Sequence, residues 1–393
     1  MRPLDGITVI TLEHAIAAPF ATRQLADLGA RVIKVERPGV GDFARGYDAR
    51  VRGLASHFVW TNRSKESLAL DIKHPEARQI LKRLIQVHAD VLVQNLAPGA
   101  TARLGFGYQD LVAQKPGIIV CDISGYGNDG PYRDKKAYDL LIQAEAGFLS
   151  VTGTKETPSK AGPSIADIAA GMYAFSNILA ALIERQKTGK GRHIDISMLE
   201  ALGEWMSYPL YYAFDGAAPP ARTGASHATI YPYGLFQAGD GNTVLLGLQN
   251  EREWVAFCEY VLRRPELARE ERFAGNAQRN AARQELEAII DATFASLSAA
   301  EVIERLEQAN IANARANDMD ALWAHPQLQA RARWRNVGTP RGEVPALLPP
   351  GSWEDGDPRM DPVPALGEHT GAILEQLGYS ATQIAGLRAE GAI

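Results

Sequence analysis

The first 36 residues constrain the chain most. Ile7-Thr8-Val9-Ile10-Thr11-Leu12 is an apolar, β-branched run that reads as a strand. Glu13-His14-Ala15-Ile16-Ala17-Ala18 forms a turn, and Pro19 suits the first position of a helix running through Thr22, Leu25 and Leu28 to Gly29. Arg31-Val32-Ile33-Lys34-Val35-Glu36 is a second strand. Strand, helix and strand within about 30 residues is the unit from which parallel sheets are built. Such a sheet buries both faces under helices, so a two-layer all-β fold is excluded at the outset.

The alternation continues. Ser67 to Asp71, Asp90 to Gln94, Gly117 to Ile123 and His193 to Ser197 read as strands; helices are expected over about 75–87 and 165–186. The expected class is α/β, with a Rossmann-like, doubly wound large domain over 1–214. Glu36 stands where a ribose-binding acid of a dinucleotide fold would stand, but the first turn lacks GxGxxG, which argues against nicotinamide or flavin. The texture changes at Asp215-Gly216-Ala217-Ala218-Pro219-Pro220, which reads as a linker. Two strands, Tyr233 to Phe236 and Thr243 to Gly247, then flank the hairpin signal Gly239-Asp240-Gly241. With helices near 251–263, 279–297 and 299–308 they define a smaller α+β domain over 225–330. Residues 331–393 comprise a Pro-rich return linker over 340–364 and two short helices that pack on the large domain.

Composition narrows the partners. A net charge of -5 offers no bulk attraction to nucleic acid or anionic membrane. No uninterrupted apolar run reaches the roughly 20 residues of a bilayer span. The start leads straight into a strand, so no secretory signal is expected. Cys121 and Cys258, the two cysteines, fall in a strand and a helix pattern, which fits small buried hydrophobes in a reducing cytoplasm. HExxH, CxxC, Walker and GxSxG motifs are absent, and His14, His57 and His227 lack zinc-ligand spacing, so no metal is expected.

What remains is a carboxylate. The turn-rich loop Ser124-Gly125-Tyr126-Gly127-Asn128-Asp129-Gly130-Pro131-Tyr132 leads through Lys135-Lys136-Ala137-Tyr138 to Asp139, where Leu141, Ala144 and Phe148 begin a helical stripe. Asp139 can cap free backbone N–H groups, or serve as a reactive carboxylate favoured by the helix dipole. Glycine-rich turns and basic residues near strand ends suit a carboxylate nucleophile working on an anionic, phosphate-bearing substrate.

A set of motifs goes further. Leu4-Asp5-Gly6-Ile7-Thr8-Val9, Ala17-Ala18-Pro19, Leu28 to Pro38, Asn62-Arg63-Ser64-Lys65, Gln94 to Gly99, Ser124-Gly125-Tyr126-Gly127 with Gly130-Pro131-Tyr132, and Tyr138-Asp139 occur in that order. The chain thereby resembles the class III CoA-transferases, the family of formyl-CoA:oxalate and carnitine CoA-transferases. The resemblance implies that Asp139 is the nucleophile, passing through an aspartyl anhydride and an aspartyl-CoA thioester. It places Ala15, Ile16 and Ala17 along the adenine and pantetheine path, and Arg37, Lys65 and Arg103 on phosphates. Asn95 and Leu96 would bracket the nucleotide, and Lys136 is a further contact. Coenzyme A enters as acyl-CoA substrate, with no tightly bound cofactor. The implied assembly is a ring-shaped subunit in an interlocked homodimer.

One departure selects a branch. A glycine-only lid is absent, and Gly224-Ala225-Ser226-His227-Ala228 stands in its place. With Pro232-Tyr233-Gly234 and Gln249 to Trp254, this resembles the branch acting on C4–C5 dicarboxylates, so the expected reaction moves CoA from succinyl-CoA to itaconate. Mesaconate, citramalate and malate are alternative acceptors, and Arg45, Arg50, Arg222 and His227 are candidates for the second carboxylate. The rival in the same family is an α-methylacyl-CoA racemase, but the loop from Ser124 to Lys136 contains no histidine. A non-catalytic acyl-CoA-binding protein is the more distant alternative.

Overall fold

The computed structural model describes residues 1–351 and 356–393; part of the expected 340–364 linker lies outside them. The chain divides into two units. The first comprises Met1–Ala146, Ala161–Met206 and Gln327–Ile393, and the second Gly147–Lys160 and Ser207–Pro326. The first unit therefore gives up 147–160 to the second and takes back the C-terminal residues.

The first unit is built on six parallel strands: β1 (Thr8–Leu12), β2 (Arg31–Glu36), β3 (Lys65–Ala69), β4 (Val91–Gln94), β5 (Ile119–Ser124) and β6 (His193–Ser197). Their order is β3-β2-β1-β4-β5-β6, so the chain reverses its direction of growth between β1 and β4. Val9, Ile10, Ile33, Val91, Leu92, Val93 and Ile119 are fully buried, as a sheet covered on both faces requires. One side is closed by the Pro75–His88 helix and the C-terminal helices Thr370–Gln376 and Ala381–Ala389, whose Ile373, Leu374 and Leu387 join the sheet core.

The helix α1 (Ala17–Asp27) packs along the helix Ile165–Thr188. By length and composition the latter is apolar enough to cross a membrane, which a search for an uncharged run misses because Asp167, Glu184 and Arg185 punctuate it. Here its small residues Ala166, Ala169, Ala170 and Ala174 face inward and let α1 approach closely. Gly171 marks the tightest point, since a Cβ there would stand 2.7 Å from the carbonyl oxygen of Ala17 and 2.9 Å from the Phe20 ring. Gly171→Ala is therefore expected to cost about 1–3 kcal/mol in urea denaturation. It would also push the Ala17 turn off its position.

The second unit carries an antiparallel sheet of β7 (Tyr233–Gln237), β8 (Thr243–Gly247) and β9 (Ala312–Arg315). The Gly239–Gly241 turn joins β7 to β8, with Asp240 accepting from the Asn242 N–H. Trp254, Phe257, Phe273 and Phe294 fill its core. Helix Ala299–Gln308 opens on a capping box between Ser298 and Glu301.

Candidate active site

Asp139 is the first residue of the helix Asp139–Glu145, and Tyr138 occupies the N-cap position without a side-chain bond. The carboxylate does cap a helix, but a different one. Its Oδ1 accepts from the backbone N–H groups of Ala166 at 2.8 Å and Asp167 at 3.3 Å, at the start of Ile165–Thr188. Ser164, at the N-cap of that helix, makes no side-chain cap, so Asp139 supplies from a distance the acceptor the helix lacks. Its Oδ2 accepts from Gln143 Nε2 at 2.6 Å. Gln143 is fully buried, and its Oε1 accepts from the Ala161 N–H at 2.9 Å, which fixes the orientation of the amide.

This capping brings a second carboxyl beside the first. Asp167 stands in the first turn of the long helix, with its carboxyl facing the Ala17 N–H, which favours the ionised form. Burial and then the charge of Asp139 push Asp167 up to about 7, with the Ala17 bond pulling the other way. Tyr47 belongs to the same locale: burial, Asp42, Asp167 and Tyr138 together push its phenol up to about 12. The apolar pattern over 165–186 predicts the helix but gives Asp167 no role. Ser164-Ile165-Ala166-Asp167 has the S-x-x-acid form of a capping box, and that was the available signal.

The Ala17 turn is held from beneath by a buried cluster of charges. Lys34 meets Asp42 at 2.7 Å and Glu13 at 3.4 Å, and Lys65 meets Glu13 at 2.7 Å; all four side chains are fully buried. Thr11 and Thr22 donate to the other Glu13 oxygen. Burial pushes Glu13 upward, but Lys65 and Lys34 outweigh it and hold it below the usual carboxylate range. Burial lowers Lys65 to about 8 despite Glu13. Asp42 also accepts from the Ala15 N–H, and Asn95 clasps His14 through both its backbone groups. Ala15 is thereby kept at φ +61°, a conformation that a residue with a Cβ adopts only where its surroundings impose it. Ile16 and Ala17 are buried, so this turn offers a ligand its backbone.

A cavity of about 330 Å³ opens at the carboxyl ends of β1 to β4, beside the point where strand order reverses. His14, Arg37, Phe43, Ile72, Lys73 and Leu96 are among its lining residues. Arg37 and Leu96 are placed there as a nucleotide contact would need. Lys65 is not, and this corrects the expectation: its three donors go to Glu13, the Pro19 carbonyl and Asn62, leaving none for a phosphate. Lys73, just past the end of β3, is the basic residue that reaches the cavity. Arg103 follows β4 and Lys136 follows β5; among the described residues neither side chain has an ion-pair partner.

The candidates for a second acceptor carboxylate fare differently. Arg45 makes a bidentate pair with Glu36 at 2.8 and 2.7 Å and covers the Phe58 ring, so it is committed to the core. Arg222 and His227 lie in the second unit. Arg222 donates to the carbonyls of Thr154 and Lys155, both at 2.9 Å, and His227 Nδ1 accepts from the N–H groups of Thr229 and Ile230. His227 closes a local turn, and Arg222 ties its segment to the 154–155 stretch, in place of facing a ligand. Arg50 is exposed on its loop.

A parallel sheet with its cavity at the switch point, unpaired cations around it and a carboxylate pair nearby describe an enzyme that handles a nucleotide-bearing substrate. The sequence matches the model of CoA-transferase family III over residues 4–370, and the chain belongs to that family. It is 33% identical to the human succinyl-CoA:glutarate CoA-transferase over 96% of this chain and 86% of that protein. It is 36% identical to the acetyl-CoA:oxalate CoA-transferase of Acetobacter aceti over 84% of each. It is 30% identical to the succinyl-CoA–D-citramalate CoA-transferase of Chloroflexus aurantiacus over 99% of this chain and 98% of that one. Among solved structures, a CAIB/BAIF family protein from Brucella suis superposes with a TM-score of 0.84 at 33% identity, covering 96% of this chain and 99% of that one.

Proposed function

We propose that this CoA-transferase moves CoA from succinyl-CoA to a small dicarboxylic acid through a covalent aspartyl intermediate carried by Asp167. The observation that carries the covalent reading is the Asp139–Asp167 pair at the start of a 24-residue helix. Three features favour Asp167 over Asp139 as nucleophile. Both oxygens of Asp139 are occupied by donors. Asp167 faces the Ala17 turn, whose N–H groups can receive an oxyanion. A carboxylate with a raised pKa is also the more basic, and so the better, nucleophile once ionised.

Ionised Asp167 attacks the thioester carbonyl of the donor, forming a mixed anhydride and expelling the CoA thiolate. The thiolate attacks the Asp167 acyl carbon, giving an aspartyl-CoA thioester and releasing the donor acid. The acceptor carboxylate attacks this thioester to form a second anhydride and free the thiolate again. Thiolate attack on the acceptor's carbonyl completes the transfer and regenerates Asp167. No net bond type is gained or lost, so the protein must chiefly orient the groups and exclude water from the anhydride.

The names of the relatives support a dicarboxylate acceptor; among such acids we place C5 acids such as glutarate and itaconate foremost. A panel of free acids with succinyl-CoA tests this, and transfer to oxalate in preference to every C4–C5 acid would overturn it. Because Asp167 must be ionised, kcat/KM is expected to rise with pH and level off above about 7. Asp139→Asn removes the neighbouring charge and moves that rise to lower pH; an unmoved profile would separate the two residues. Borohydride or hydroxylamine trapping with succinyl-CoA, followed by peptide mass spectrometry, is expected to mark Asp167, and a mark on Asp139 would reverse the assignment. The assembly we propose is the family's interlocked homodimer, which a monomeric mass in light scattering would refute.

A further inference from the structure

We infer that Arg133 joins Arg103 in a two-armed clamp for a phosphate of CoA, separate from the Arg37 and Lys73 contact at the cavity. The inference rests on the CoA-transferase reading. Arg103 ends the short helix after β4, and Arg133 lies in the loop after β5, so they follow the carboxyl ends of neighbouring strands. They converge on Gly99: a Cβ built on that glycine would stand 3.2 Å from Arg103 Nη1 and 3.4 Å from Arg133 Nη2. The two guanidinium groups thus sit side by side over one point of backbone.

Two like charges repel unless something neutralises them. Arg45, Arg63 and Arg279 each meet a carboxylate directly. Among the described residues, Arg103 and Arg133 have no acidic partner. Both are exposed, and the lack of a side chain on Gly99 lets both guanidinium groups lie close over its backbone. Planar guanidinium forks match phosphate oxygens in a way a single ammonium does not.

The clamp also has the right neighbours. Leu96 lines the cavity and precedes Gly99 in the same loop, while Lys136 follows Arg133 in the loop that delivers Asp139. CoA carries phosphate at two places, a 3′-phosphate on the ribose and a 5′-diphosphate leading to pantetheine. Two separate groups of unpaired cations fit two separate phosphate positions.

Calorimetric titration of the full chain with CoA and with dephospho-CoA tests this. Arg133→Ala is expected to weaken CoA binding about tenfold, with Arg133→Lys in between, because lysine keeps the charge and loses the fork. Loss for CoA alone assigns the clamp to the 3′-phosphate; equal loss for both nucleotides assigns it to the diphosphate. Affinities for both nucleotides within twofold of the parent overturn the clamp. A parent chain that binds neither nucleotide overturns the CoA-transferase reading itself. An unchanged thermal melt of Arg133→Ala, expected for an exposed side chain, keeps the comparison one of binding.

Discussion

Asp167→Asn is expected to abolish CoA transfer, by at least about 10³-fold in kcat, and at the same time to make the protein more stable above pH 7. The two effects have one cause. Asp167 titrates near 7 in the folded protein, against about 3.9 in an unfolded chain. Between those values the folded state holds a proton that the unfolded state has released, so stability falls as pH rises through this window and the loss is complete above 7. Asparagine keeps the shape and carries no charge. The expected gain at pH 8 is about 2 kcal/mol, less than the full shift would give because the side chain is partly solvated. Thermal melts at pH 4 and pH 8 check the sign, since the variant gains only at the higher pH. A variant that loses activity but gains nothing at pH 8 would show that burial and the Asp139 charge do not hold Asp167 up in the folded protein. A variant that retains transfer would return the nucleophile to Asp139.

Glu13→Ala is expected to be the most destabilising single change in the first unit, at about 3–5 kcal/mol in chemical denaturation. Glu13 takes Lys65 and Lys34 on one oxygen and two threonine hydroxyls on the other, with every partner buried. Removing it strands the Lys65 ammonium away from water and leaves Lys34 with Asp42 alone. Lys65, already lowered to about 8, would lose its chief counter-charge and shed its proton more readily still. A loss under about 1 kcal/mol would mean that water reaches these groups. Because the cluster also anchors the turn at Ala15, activity is expected to fall further than stability alone accounts for.

Much of this arrangement was legible from residue patterns, and the misses share a cause. The strands of the parallel sheet announce themselves because both faces are buried and the residues are uniformly apolar. The Gly239–Gly241 hairpin is legible because only certain residues accept its turn. β9 was not, since Ala312-Asn313-Ala314-Arg315 has no β-branched or aromatic residue and is held by its pairing with β8. The two candidate carboxylates posed the same difficulty. Asp139 was found because it sits at a visible loop-to-helix junction, and its local capping was a fair inference. Its actual partners lie 27 and 28 positions away, and no local pattern records a bond of that span. Lys65 and Lys73 differ likewise in register: Lys65 pairs with Val32 well short of the strand end and turns inward, while Lys73 follows the strand and reaches the cavity.

The shared helix terminus has a consequence for how the catalytic cycle is weighted. Asp139 accepts from the backbone N–H groups that open the helix bearing Asp167, so the two carboxylates repel when both are ionised. On the proposed covalent route, acylation of Asp167 relieves this repulsion, because an anhydride or thioester carries no charge at that oxygen. The resting enzyme is then the tense member of the cycle and the acylated enzyme the relaxed one. On that route the CoA-loaded enzyme is the less strained state between the two half-reactions.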